Sequence, residues 1–141
     1  MTRALVGLAL EGINSAGAEV TLPQFRLLLA LDGLGRVPSS KLAERLGLAA
    51  SAITRMVDRL EEAGLVERGG DLGKRSIVAV ELSARGRRVV HRALARRQAR
   101  LAAILDAMSP DDREAAARIA RRFTVLSGDA VALGAAGPVP L

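Results

Sequence analysis

A mainly α-helical fold (α+β) carrying one small β-hairpin is what the 141-residue sequence predicts, on three observations. Apolar residues recur three and four apart in segment after segment, with glycine or proline between the segments. The period changes to two in one place only, around Val66 and again around Val80, on either side of a glycine-rich charged stretch. Half the chain is apolar, yet only Phe25 and Phe123 are aromatic. The core must therefore be packed from Leu, Ile, Val and Ala, which favours helices over an aromatic-rich sheet. The length fits one domain, or one with a helical dimerisation region attached.

The first helix is expected from Ala4 to about Asn14, with Leu5, Leu8, Ala9 and Ile13 at helical spacing, followed by a loop to Val20. Arg3, the apolar run Ala4 to Leu10 and the small residues Ala16-Gly17-Ala18 resemble a secretory signal, but Glu11 cuts the run at the shortest usable length. Secretion is not expected. No stretch approaches the ~18 apolar residues of a membrane span, so a soluble, cytoplasmic protein is expected.

A second helix starts after Thr21 as N-cap, with Pro23 in a first turn that needs no N–H from it. It turns Phe25, Leu28 and Leu29 inward and stops near Gly33 or Gly35. A short helix from about Ser40 to Leu46 buries Leu42, Ala43 and Leu46 and ends at Gly47. A longer one, Ala50 to Ala63, sets Ile53, Met56, Val57 and Leu60 at i, i+3, i+4 and i+7, the pattern of a single buried stripe, and Gly64 caps it.

Leu65 to Arg68 and Ile77 to Leu82 are the two strands, with Val78, Val80 and Leu82 facing one way and GGDLGKRS forming an extended tip between them. Ser83 can cap a long helix running to about Met108, and Ser109-Pro110-Asp111-Asp112 opens the last one with a cap, a proline and two acids at the positive end of the dipole. There Ala116, Ile119, Phe123, Leu126, Ala130 and Leu133 form a heptad-like seam. A small monomer rarely buries both faces of so long a helix, so this seam is expected between subunits. The organisation is then an N-terminal helix and loop (1–20), a core (21–88), overlapping C-terminal helices (83–133) and a mobile tail (134–141).

Composition removes several functions. The absence of cysteine excludes disulfides, thiol redox sensing and thiolate metal sites, and a lone histidine, His91, argues against a transition-metal site. The sequence has no HExxH motif, no phosphate-cradling glycine loop after a strand and no nucleophile–histidine pair, so neither catalysis nor a cofactor is expected. The net charge is +6. Residues 36–100 hold fifteen basic and seven acidic residues, while the remainder holds six and eight. A cationic excess of eight concentrated in the middle suits a polyanionic partner, since each Lys or Arg set on a phosphate releases condensed counterions.

Short helix, turn, longer helix and β-hairpin, in that order, make a helix-turn-helix with a wing. A helix fits the major groove of B-DNA, where base edges are distinguishable, and a hairpin reaches the adjoining groove or backbone. With the buried stripe centred near Ile53, a 100° step per residue puts Ser51, Arg55 and Asp58 almost opposite, flanked by Thr54 and Arg59. Arg55 has the fork to bond guanine O6 and N7, Ser51 and Thr54 suit bases or phosphates, and Asp58 suits a cytosine amine or holds an arginine. Ser39 and Ser40 at the head of the short helix, and Lys74 and Arg75 in the hairpin tip, complete the candidate DNA contacts. As ordinary surface charges, Arg55, Asp58 and Arg59 would instead form weak helical pairs. Arg85, Arg88, Arg92 and Arg96 line one side of the long helix, read as a solvated face rather than a phosphate-tracking stripe.

The strings LPQFRLLLAL, PSSKLAERLGLAASAITRMVDRLEEAGLVERGGD and ELSARGRR, covering Thr21 to Arg88, resemble the core of MarR-family regulators in order and spacing, most characteristically over Thr54 to Arg68. The resemblance implies a double-stranded-DNA-binding transcription regulator, a ligand-responsive repressor acting as a homodimer on a palindromic operator. It implies a dimer interface from the first and last two helices, including Leu5, Ile13, Ile119, Phe123 and Leu126. It also implies a small-molecule effector cleft between those helices and the DNA-binding domain. The chain departs from the pattern at Ala49-Ala50, where a capping serine is usual, at Lys74 and Ser76, where an acid and an arginine are usual, and in a short N-terminal helix. The rival reading is a winged-helix protein-interaction module that has lost DNA binding.

Overall fold

The structure, a computed structural model, describes residues 20–69 and 78–127. The expected first helix, the hairpin tip and the C-terminal tail lie outside the described residues. Helix α1 (Leu22–Leu34) begins as Thr21 predicts and gains a partner the spacing did not announce. The Gln24 backbone N–H donates to the Thr21 hydroxyl at 3.4 Å, and the Gln24 side-chain oxygen accepts from the Thr21 N–H at 2.8 Å, a reciprocal capping box. Gly35, at φ +70°, turns the chain out and donates its N–H to the Leu31 carbonyl. Phe25, Leu27, Leu28, Ala30 and Leu31 are all buried, and Leu29 is only half-buried. The expected inward set of Phe25, Leu28 and Leu29 is too small because α1 is covered from several sides, by two other helices and a strand.

Val37–Pro38 form a two-residue strand, β1, which the sequence does not signal. Helix α2 (Ser39–Leu46) follows at once, buries Leu42 and Leu46, leaves Ala43 half-buried, and ends on the left-handed Gly47. Helix α3 (Ala50–Glu62) buries Ile53, Val57 and Leu60, with Met56 at its margin. Ala63 closes it, and Gly64, at φ +67°, makes the turn.

Strands β2 (Val66–Gly69) and β3 (Ala79–Leu82) pair antiparallel in the register Val66↔Leu82 to Gly69↔Ala79. On its other edge β3 pairs with β1, Val37↔Val80 and Pro38↔Ala79, so the wing is a three-stranded sheet in the order β1-β3-β2 rather than a bare hairpin. Proline is tolerated there because β1 is an edge strand. The expected alternation of Val78, Val80 and Leu82 holds for Val80 and Leu82, both buried, and fails at Val78, which is 54% exposed, while Ala79 between Val78 and Val80 is fully buried. Val78 lies past the last paired position, and on the other face of β3 Ala79 is buried while Glu81 is half-buried.

Helix α4 (Ala84–Asp106) starts as expected, the Ser83 hydroxyl accepting from the Gly86 N–H at 2.9 Å. The same hydroxyl donates to the Gly64 carbonyl at 2.7 Å, and the Ser83 N–H donates to the Leu65 carbonyl at 3.1 Å. The turn after α3 is thereby pinned to the start of α4. Only Gly86, Val89, Val90 and Ala93 of α4 are buried, and residues 95–104 are exposed throughout. Helix α5 (Pro110–Ser127) opens with Asp112 donating its N–H to the Ser109 hydroxyl at 3.2 Å. Among the described residues the core therefore lies within α1, α2, α3, the sheet and the first half of α4.

Candidate nucleic-acid interface

Gly47, in the left-handed conformation, makes the turn between α2 and α3 tight; its N–H reaches the Glu44 carbonyl and that of Leu48 reaches Ala43. The residue before α3 is Ala49, in extended conformation and without a side chain able to cap. A helix that begins this way keeps first-turn N–H donors for partners other than its own side chains, and such donors suit phosphate oxygens.

With Ile53, Val57 and Leu60 inward, Ser51, Thr54, Arg55 and Arg59 are exposed, as the helical step predicts. The Thr54 hydroxyl donates back to the Ala50 carbonyl at 3.0 Å, which leaves it an acceptor towards solvent. At the head of α2, Ser39 is half-buried and Ser40 exposed. Lys41 pairs with Glu44 at 3.0 Å. Lys74 and Arg75 lie outside the described residues, as do Leu5 and Ile13.

Asp58 is committed elsewhere. The Arg68 guanidinium, on β2, reaches back across the turn and bonds both Asp58 and Glu61 of α3. Its pKa is raised, chiefly by the hydrogen bond to Asp58, against the lowering effect of its own burial, and further by the charges of Glu61 and Asp58. Arg68 thus remains a cation at every pH of interest. It ties the wing to the outward flank of α3, and Asp58 holds an arginine there.

The basic residues of α4 divide into two groups. Arg85 donates to the Ala63 carbonyl at 3.0 Å, satisfying the negative end of α3, and Arg87 donates to the Leu82 carbonyl at 2.8 Å. Arg88, Arg92 and Arg96 are exposed. His91 meets Asp32 of α1 at 3.2 Å from an exposed position. On α5, Ile119 and Phe123 are more than half exposed, and Leu126 is 77% exposed.

An open hollow of about 260 Å³ lies between α1 and α3, lined by Pro23, Leu48, Ala52 and Met56 on the apolar side and by Arg55 and Arg59. Among the described residues no helix is long and apolar enough to cross a membrane.

A family model described as the MarR family matches residues 20–73, from the start of α1 into the wing. The chain is 31% identical over 114 residues to the HTH-type transcriptional repressor MdtR of Bacillus subtilis, covering 81% of this chain and 72% of the repressor. Against two other HTH-type transcriptional regulators of that organism the match spans 61% and 64% of their lengths. The crystal structure of RV1404 from Mycobacterium tuberculosis matches with TM-score 0.85 and 35% identity, over 90% of this chain and 87% of that one. That of Streptococcus pneumoniae FabT in complex with DNA shares the fold, with TM-score 0.71 at 18% identity over 89% and 91% of the two chains.

Proposed function

The chain belongs to the MarR family, and on that premise we propose that it is a sequence-specific DNA-binding transcription regulator, a cytoplasmic repressor that binds a palindromic operator as a homodimer and answers to a small ligand. The observation that carries this reading is the division of α3 into two sides. Ile53, Val57 and Leu60 are buried, while Ser51, Thr54, Arg55 and Arg59 are exposed. A two-fold dimer presents two such helices, which calls for inverted half-sites one helical turn, about 34–36 Å, apart. The similarity to the repressor MdtR supports the direction of control. Regulation, not catalysis, is the function.

The test is an electrophoretic mobility shift with DNA from upstream of the protein's own coding region and with an unrelated duplex of equal length. A shift at nanomolar protein, confined to the first duplex at physiological salt, is expected. Equal binding to both, or to neither, contradicts the reading and favours a protein-interaction role for the winged helix.

The wing tip supplies affinity rather than choice. Lys74→Ala is expected to weaken binding to operator and unrelated DNA alike and to lower the salt slope by about one per subunit, as a phosphate contact does. Titrations at four salt concentrations check this, and an operator-only loss contradicts it.

The hollow beside α3 supports ligand response, since two guanidiniums over an apolar floor suit a small organic anion. An anion seated there engages Arg55, which DNA also requires, so the two compete. Millimolar benzoate is expected to release the operator from the parent protein and to release it less from Arg59→Ala.

A further inference from the structure

Asp58 lies seven residues after Ser51 and three after Arg55, so it shares their outward arc of α3, about 20° from Ser51 and two turns further along. Glu61 follows three residues later, on the flank nearer the wing. Free to rotate there, Asp58, about 4.5 Å along the axis from Arg55, would bring its charge within a Debye length, about 8 Å, of the DNA that Arg55 meets, and Glu61, about 4.5 Å further along, would add to it more weakly. Such a helix would repel the polyanion it is built to meet. Both carboxylates are instead drawn onto one guanidinium, that of Arg68. Arg68 stands on β2, opposite Val80 in the sheet register, and its side chain is only 30% exposed.

Resting on the DNA-binding reading above, we propose that Arg68 is a positioning residue for DNA binding, which withdraws the negative charge of Asp58 and Glu61 from the phosphate-facing side of α3 by holding both carboxylates against the base of the wing. Arg68 needs no contact with DNA for this. Its raised pKa accords with the pairing, because every charge that raises it belongs to these two acids. A purely structural brace and a charge mask differ in one respect. A mask is replaceable by removing what it masks, and a brace is not.

The test is fluorescence anisotropy of the full chain on operator and scrambled duplexes at 50 and 300 mM salt. Arg68→Met is expected to bind both duplexes at least tenfold more weakly than the parent at 50 mM salt, with the gap narrowing at 300 mM. Adding Asp58→Asn to Arg68→Met restores the parent's net charge and is expected to bring both affinities back within about threefold. Parent-like binding by Arg68→Met overturns the proposal. So does a double variant as weak as the single one, since Arg68 then acts as a brace or touches DNA itself.

If circular dichroism shows that Arg68→Met does not fold, the variant Asp58→Asn with Glu61→Gln, which keeps the arginine, decides the matter. It is expected to bind scrambled DNA several-fold more tightly than the parent, and unchanged or weaker binding overturns the masking role. A parent protein that binds neither duplex contradicts the DNA-binding reading itself, before any variant is compared, and removes this proposal with it.

Discussion

Replacing Gly86 with alanine is expected to lower the melting temperature by about 5–10 °C. Helix propensity alone predicts the opposite sign, because alanine is favoured over glycine by about 1 kcal/mol inside a helix. Packing overrules it. A Cβ at Gly86 would stand 1.9 Å from the Leu65 carbonyl oxygen and 3.3 Å from the Leu82 side chain. That carbonyl is not free to retreat, since it accepts from the Ser83 N–H while Ser83 also holds the Gly64 carbonyl. Forcing α4 away from the turn after α3 is expected to cost about 2–3 kcal/mol, at about 2–4 °C per kcal/mol in a chain close to 150 residues. Gly33→Ala is the matched control. Nothing lies within 4 Å of its added Cβ, so a gain of about 0.4–1 kcal/mol is expected. Thermal melts of the two variants followed by circular dichroism check both signs, and a stabilised Gly86→Ala contradicts the close approach of α4 to this turn.

Glutamate at Ile119 and Phe123 together is expected to abolish the dimer. Both side chains are more than 60% exposed on α5, Leu126 and Val125 more so, and the core ends in the first half of α4. An apolar face of this extent on a helix outside the core suits a second subunit. A dimer would bury four new carboxylates without partners, which is expected to raise its dissociation constant by at least 10³, some 4 kcal/mol. Sedimentation equilibrium is expected to give twice the 14.8 kDa chain mass for the parent and the chain mass for the variant. A parent that sediments as a folded monomer rules out this interface.

What was legible in the sequence was whatever depends on local chemistry. Thr21, Ser83 and Ser109 announce helix starts because a hydroxyl before an apolar period has one common use, and α3 is legible because a single stripe faces a single core. Three features escaped for stated reasons. Strand β1 has two residues, one of them proline, and exists only because β3 lies beside it. The alternation around Val78 and Val80 misled because Val78 lies past the last paired position of β3, while Ala79, which faces the other way from Val80, is buried as well. The bonds of Arg68 to Asp58 and Glu61 span ten and seven residues across two elements, beyond the i+3 and i+4 reach that helical pairing rules can see. Gly86 did carry a signal, a poor helix former in the first turn of an otherwise strong helix, which marks a close backbone approach.

The central claim is that α3 reads base sequence through the side opposite its buried stripe. Arg55→Ala tests it most directly, because Arg55 is exposed and its loss leaves the core intact. Fluorescence anisotropy on operator and scrambled duplexes is expected to show a loss of about 1–3 kcal/mol on the operator and far less on scrambled DNA, with the melting temperature held within a few degrees. An equal loss on both duplexes, or no loss on either, would contradict the assignment of α3 as the base reader.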